Sequence, residues 1–249
     1  MAIFLSVVIP AYNEEKNLKR KVLEEVWEYL SKQKYTWEVL IVDDGSTDKT
    51  VRLVEEFIRK GRIGIKLLKE KHRGKGGTVI AGMLQAKGDY ALFTDMDQAT
   101  PISEVEKFLP KFKAGCDVVI ASRSGREGAP IVRKLMAYGF MLLRTLILKL
   151  PYKDTQCGFK AFKTDSAKKI FKKLKIFNES NIVSGASVSA GFDLEILYIA
   201  RKLGLKIAEV NVSWSHKDTE RINPIRDSYE GLRDLLKVRV NAILGKYKV

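Results

Sequence analysis

Asp95 and Asp97 stand on either side of Met96 in LFTDMDQATP, at the end of an apolar run. In an extended segment alternate side chains point the same way. Both carboxylates would then offer hard oxygen donors on one side, the kind that Mg²⁺ or Mn²⁺ takes. Two protein ligands leave a metal shell incomplete, and Mg²⁺ commonly fills it with water and substrate phosphate. A nucleoside diphosphate is the matching partner. The same pair would equally suit a turn or cap ahead of a helix beginning near Ser103. A second phosphate-binding pattern is KHRGKGGTVIAGM, residues 71–83. It has neither GxxxxGK[ST] nor a GxGxxG after a strand. Arg73 and Lys75 nevertheless flank Gly74 just before a helix whose amino end favours an anion. A flexible basic turn would read the same way.

The chain around these groups alternates short β-branched runs with helical spacing. IFLSVVI, TWEVLIVDD, IGIKLL, DYALFTD and CDVVIAS read as strands. Helical periodicity runs over 14–32 through Leu18, Val22, Val26, Tyr29 and Leu30. It resumes from about Asp48, whose side chain can cap that helix, and again near 76–87 and 103–113. Such repetition implies an α/β fold, a mostly parallel sheet covered by helices on both faces. Ligands of these sheets gather beyond the carboxyl ends of the strands. Four strand ends read VVIPAYNEE, LIVDDGSTD, LFTDMDQAT and VIASRSGRE. One such end is the turn chemistry that any α/β protein needs; four in succession bring acids and arginines to one edge.

Composition limits the partners. With 249 residues, 45% of them hydrophobic, the chain can bury one large core or at most two small ones. A formal net charge of +15 favours nucleic acid, a phosphorylated ligand or a membrane surface. Cys116 and Cys157 stand alone, without a CxxC knuckle or a disulfide framework, which fits a reducing cytosol. MAIFLSVVIPAYNEE has no basic n-region and breaks at Pro10, unlike a signal peptide. The longest apolar tract, LMAYGFMLLRTLILKLP, is cut by Arg144 and Lys149 and falls short of the ~20 apolar residues of a bilayer span. It suits a helix lying on a membrane, as does IRDSYEGLRDLLKVRVNAILGKYKV at the chain end, where Leu and Val alternate with Lys and Arg. Core helices carry the same pattern. His72 and His216 lack metal-ligand spacing, and His216, close after Trp214, is the one expected nearer a site.

SVVIPAYNEE, VLIVDDGSTDKT, RGKGG, TDMDQATP, SRSG, DTQCGFKAF and GFDLEILYIA occur in order over roughly residues 4 to 240. In this the sequence resembles the GT-A fold glycosyltransferases of the large inverting family 2, and within it looks most like the dolichyl-phosphate β-glucosyltransferases. DTQCGFK and GFDLE are the more specific motifs. The dolichyl-phosphate mannose synthases, which use GDP-mannose, are the neighbouring group. Those often carry Gln two residues after the second Asp; here that position is Ala99, with Gln98 beside it, a departure toward the glucosyl branch.

The resemblance implies a single GT-A domain over 1–249, with 225–249 as an amphipathic membrane-surface helix. It places Pro10, Ala11, Tyr12 and Glu14 around the base and ribose, joined by Asp43 and Asp44, with Lys75, Asp95 and Met96 completing the nucleotide set. Asp95 and Asp97 hold Mg²⁺ or Mn²⁺ against the diphosphate. Arg123 and Arg133 are implied acceptor-phosphate ligands, with Arg126 as a neighbour and Arg221, in HKDTERINP, reaching a phosphate group. Asp193 is the acid nearest the acceptor, and Asp97, Asp193, Arg123 and Arg133 form the implied catalytic set. NESNIVSGASVSA before it is rich in small residues and suits a mobile lid.

The implied reaction moves glucose from a UDP-sugar to a polyprenyl phosphate at the cytoplasmic face of a membrane. A phosphate monoester with second pKa of ~6 is already largely dianionic at neutral pH, so it needs little help from a base. Nucleic acid is not the expected partner: RNP-like aromatics, zinc-finger spacing and a helix-turn-helix pattern are all missing from the sequence. A silent sugar-nucleotide binder would lack the acid pair or the arginines, and the sequence has both.

Overall fold

The computed structural model describes residues 2–123, 131–176, 190–215 and 224–248, with the backbone alone for 131–137, 190 and 224–228. Among the described residues seven strands build one sheet: β1 (Leu5–Ala11), β2 (Trp37–Asp43), β3 (Ile65–Lys69), β4 (Tyr90–Phe93), β5 (Val118–Arg123), β6 (Lys160–Lys163) and β7 (Ile207–Val212). Their spatial order is β3-β2-β1-β4-β6-β5-β7. Every pairing is parallel except those of β6, which runs antiparallel between β4 and β5.

The helices are α1 (Glu15–Lys19), α2 (Val22–Ser31), α3 (Thr50–Arg59), α4 (Gly74–Gln85), α5 (Leu109–Lys113), α6 (Ile131–Leu148), α7 (Thr164–Phe171), α8 (Ala190–Lys202) and α9 (Pro224–Ile243). The helical pattern over 14–32 is two helices, broken where Lys21 takes a left-handed φ of 62°. A 3-10 turn at Ile102–Lys107 occupies the start of the span expected to be helical from 103. The N-cap position of α3 is Lys49 and not Asp48 as expected; Asp48, one residue earlier, accepts the amide of Thr50 at 2.9 Å and that of Glu15 at 3.1 Å, and so ties α3 to α1.

Alternate strand residues pack on opposite faces, as the two-residue period requires. Val8, Val42, Phe93, Ile120 and Phe162 join one apolar cluster with α4, α7 and α8. Val7, Ile41, Leu92, Val119 and Ala161 join the other with α2 and α3. Both faces are covered, which is why the strands read as continuous apolar runs. The close fit of α4 on the sheet needs Gly82: a Cβ there would lie 2.3 Å from Val8 Cγ1.

The antiparallel β6 has a functional consequence. Its first residue, Lys160, pairs with Phe93, the last of β4, and with Ile120 of β5. The loop entering β6, residues 150–159, is thereby delivered to the carboxyl edge where β4 and β5 release their polar segments.

Candidate active site

At the ends of β1 and β2 the chain forms a polar cluster fixed by its own hydrogen bonds. Tyr12 stacks on His72 with ring centroids 4.3 Å apart and planes 18° from parallel. His72 Nδ1 lies 2.9 Å from Asp44 Oδ2, and Asp44 Oδ1 accepts the Arg73 amide at 2.7 Å. Asp43 Oδ2 accepts the amides of Gly45 and Ser46 at 3.1 and 3.2 Å. Among the described residues Asp43 Oδ1 is buried without a hydrogen-bond partner, an acceptor whose burial costs ~1–3 kcal/mol until an N–H or O–H reaches it. His72 is thereby brought against Tyr12 and Asp44, two of the residues expected around the nucleotide. Asn13 and Glu14 are used structurally: Asn13 Oδ1 accepts the Thr47 amide at 2.9 Å, and Glu14 Oε2 accepts Asn17 Nδ2 at 2.5 Å. Pro10 is half-buried and Ala11 buried at the end of β1.

The acid pair departs from the extended geometry expected of it. Residues 95–98 form a tight turn in which the Gln98 amide bonds Asp95 carbonyl oxygen at 3.2 Å. Gln98 holds a left-handed φ of 48°. Asp97 Oδ1 accepts the Ala99 amide at 2.9 Å. Met96 is buried in the core, so only its backbone is available to a nucleotide. Asp95 is half-exposed. Its Oδ1 is paired with Lys75 Nζ, and its Oδ2 would lie 2.1 Å from a Cβ on Gly158. Gly158 is thus required by the close approach of its backbone to this carboxylate. Lys75 leaves the head of α4 to reach the acid turn. Burial disfavours its charge, but Asp95, then Asp193 and Asp97, outweigh that and hold its pKa above the ordinary lysine value.

Beneath this turn lies an ion pair that sequence reasoning missed. Lys160 is fully buried, donates to Asp193 Oδ1 at 2.7 Å and to the Cys157 carbonyl at 2.5 Å, and lies 5.5 Å from the Phe93 ring centre. Burial raises the Asp193 pKa above the usual carboxylate range, and Lys160 and Lys75 only partly oppose it. The available signal was a lysine inside CGFKAF, where the flanking residues are those of a buried strand.

Arg123 ends β5 and lines a cavity of about 70 Å³ with Asp95, Thr100, Gln156, Gly158 and Trp214. Its guanidinium grips Asp154 twice, Nε to Oδ2 at 2.6 Å and Nη2 to Oδ1 at 3.0 Å, and lies 5.7 Å from the Trp214 ring centre. Burial raises the pKa of Asp154, but Arg123 more than reverses this and holds it below the ordinary range.

Arg133 lies in the first turns of α6, where the backbone alone is described; Arg126, Arg221, His216 and the segment 178–189 lie outside the described residues. Arg144 corrects its expected place on a membrane-facing surface: it is buried, with Nη1 on Thr155 Oγ1 at 3.0 Å and Nε on the Leu150 carbonyl at 3.3 Å. The outer face of α6 instead exposes Tyr138, Leu142, Leu143 and Leu146. α9 packs on α8 and α6. It buries Asp234, Leu235 and Val238 and exposes Leu232, Leu236, Val240 and Ile243 among Arg233, Lys237 and Arg239. Among the described residues no helix is long and apolar enough to cross a membrane.

An acid turn, a polar cluster and a half-buried arginine stand at the carboxyl edge of a mixed α/β sheet, an arrangement that fits the GT-A fold. The family model for Glycosyl transferase family 2 matches residues 6–171, and the chain belongs to that family. It resembles the dolichyl-phosphate beta-glucosyltransferase of Dictyostelium discoideum, at 37% identity over 99% of this chain and 77% of that one. The enzyme of the same name from Homo sapiens is 32% identical over 98% of this chain and 78% of its own. In fold the chain is similar to mannosyl-3-phosphoglycerate synthase from Rubrobacter xylanophilus, with a TM-score of 0.69 at 18% identity, covering 99% of this chain and 76% of that one. It is also similar to glucosyl-3-phosphoglycerate synthase from Mycobacterium tuberculosis, whose structure was determined with Mn²⁺, UDP and glucosyl-3-phosphoglycerate: TM-score 0.61, 19% identity, 96% and 80% covered.

Proposed function

We propose that this glycosyltransferase moves glucose from UDP-glucose to a polyprenyl phosphate of the dolichyl type, with inversion, at the cytoplasmic face of a membrane. The observation that carries the reading is that Asp95 and Arg123 line the same cavity. A diphosphate donor beside the acid turn and a phosphate acceptor beside the arginine would meet there. Sequence relatives named dolichyl-phosphate beta-glucosyltransferase support the choice of sugar and acceptor.

The residues suit a divalent cation. Asp95 and Asp97 are adjacent hard donors on one turn, and Asp95 already pairs with a cation, Lys75. Two carboxylates leave most of a cation's shell to water and phosphate oxygens, as Mg²⁺ or Mn²⁺ accepts. When bound, such an ion neutralises charge developing on the leaving diphosphate.

The chain's own groups do the rest. Tyr12, His72, Asp43 and Asp44 form the nucleotide pocket, and the unpartnered Asp43 Oδ1 would accept from the base or ribose. Lys75 stands ready to pair with donor phosphate. Arg123 gathers the acceptor phosphate, a role that the family resemblance also gives to Arg133 and Arg221, and orientation of this kind contributes much of the rate in such displacements. An acceptor oxygen forms the new bond to the anomeric carbon as the sugar–diphosphate bond breaks, its electron pair leaving on UDP. The acceptor is already ionised, so Asp193 serves to orient the sugar or acceptor. The exposed apolar face of α6 and the apolar and basic face of α9 suit the surface of an anionic bilayer.

Asp97→Ala tests the metal assignment. Transfer falls by at least a hundredfold while UDP binding in EDTA is unchanged; full activity in that variant or in excess EDTA would overturn it.

A further inference from the structure

We propose that Asp154 is a positioning residue for the acceptor: it holds Arg123 by one edge of the guanidinium and so sets the other edge to receive the phosphate of the lipid. This rests on the reading of Arg123 as an acceptor-phosphate ligand and names what aims it.

An arginine fork has two edges that can make paired hydrogen bonds, Nε with Nη2 and Nη1 with Nη2. Asp154 takes the first edge, at 2.6 and 3.0 Å. Among the described residues no hydrogen bond occupies the second edge, which is the bidentate face for a phosphate. Without a fixed counter-ion a long side chain at a strand end would sample several rotamers and lose that freedom on binding.

Asp154 is itself anchored, which distinguishes it from a passing surface partner. Its Oδ1 accepts the Gln156 amide at 3.0 Å and its Oδ2 the Arg123 amide at 3.3 Å. Its own amide donates to Glu209 Oε1 at 2.8 Å, and the Lys153 amide to Glu209 Oε2 at 3.0 Å. Glu209 sits on β7 in register with Ile120 of β5, the strand that ends in Arg123. The sheet that carries the arginine therefore also carries the clamp on its partner. Arg144 holds the same loop from α6 through Leu150, Tyr152 and Thr155. On its other side Arg123 meets the Trp214 ring. Enclosed ion pairs are weak evidence for stability, and in this one Arg123 lines the cavity while Asp154 does not.

The test uses the full chain with a short-chain polyprenyl phosphate in detergent, UDP-glucose and Mn²⁺. Asp154→Asn is expected to raise the acceptor KM roughly tenfold or more, the worth of one charge-assisted hydrogen bond, with the UDP-glucose KM changed less than about twofold. Arg123→Met should raise the acceptor KM as well, and adding Asp154→Asn to it should change nothing further, because the aspartate acts only through the arginine. Should Asp154→Asn alone fold poorly, Arg123→Met and the double variant carry the test by themselves. A normal acceptor KM in folded Asp154→Asn, or a further tenfold rise in the double variant, overturns the proposal while leaving Arg123 as a ligand. A normal acceptor KM in Arg123→Met removes the acceptor assignment and this proposal together.

Discussion

Replacing Lys160 with methionine removes one half of the ion pair under the acid turn. The ammonium is fully buried, with two donors engaged by Asp193 and the Cys157 carbonyl and a phenyl ring nearby. Methionine fills a similar volume, so the cavity cost is small and the electrostatic cost dominates. Asp193 keeps 16% side-chain exposure, and burial already pushes its pKa upward. Removing one partner of a buried pair costs ~3–5 kcal/mol. At ~2–4 °C per kcal/mol for a chain of this size, the Tm of Lys160→Met falls by ~6–20 °C. The double variant Lys160→Met/Asp193→Asn leaves no unpaired charge and should recover most of that loss without recovering activity. Thermal and urea unfolding of the single variants and the pair read this directly. A single Lys160→Met variant melting within ~2 °C of the parent would refute the reasoning, because no buried charge could then have been abandoned.

Two further outcomes follow from other parts of the molecule. Glu38 is buried and accepts from Ser6, Lys66 and the Lys87 amide. Burial raises its pKa, but Lys66 and Ser6 reverse this and hold it below the ordinary glutamate value. Its contribution is therefore full above the unfolded pKa of ~4.3 and is lost as pH falls through the lower folded value. The stability gap between the parent and Glu38→Gln, ~1–3 kcal/mol at neutral pH, should close on acidification in denaturant titrations at several pH values; a gap independent of pH contradicts this. Leu146→Glu/Ile243→Glu alters two side chains that are each 71% exposed, so the Tm stays put while sedimentation with anionic vesicles falls at least fivefold; unchanged vesicle binding would remove α6 and α9 as the docking face.

The parallel half of the sheet is legible because β1, β2, β4 and β5 are buried on both faces and end in turn-forming polar residues, so period and punctuation agree. β6 is harder: its four residues, Lys-Ala-Phe-Lys, carry two lysines, and although the apolar neighbours of the first hint at burial, nothing local points to its partner, an aspartate 33 positions later. Arg144 misleads for the opposite reason. A charge in an apolar tract looks like a surface break, whereas its guanidinium turns inward to satisfy loop carbonyls. The spacing of Asp95 and Asp97 is visible in sequence, yet the turn between them depends on Gln98 adopting a left-handed backbone. His72 had no partner at short spacing because Asp44 and Tyr12 reach it from other strand ends.

The central claim is that a UDP-sugar and a polyprenyl phosphate react across the cavity shared by Asp95 and Arg123. It is tested most directly by incubating the protein, Mn²⁺ and dolichyl phosphate with radiolabelled UDP-glucose, or in parallel with GDP-mannose, and counting sugar in the organic phase. Glucose in a lipid-linked product that depends on both dolichyl phosphate and the intact acid pair is the predicted result. Lipid-linked mannose alone, or no lipid-linked sugar from either donor, would contradict it.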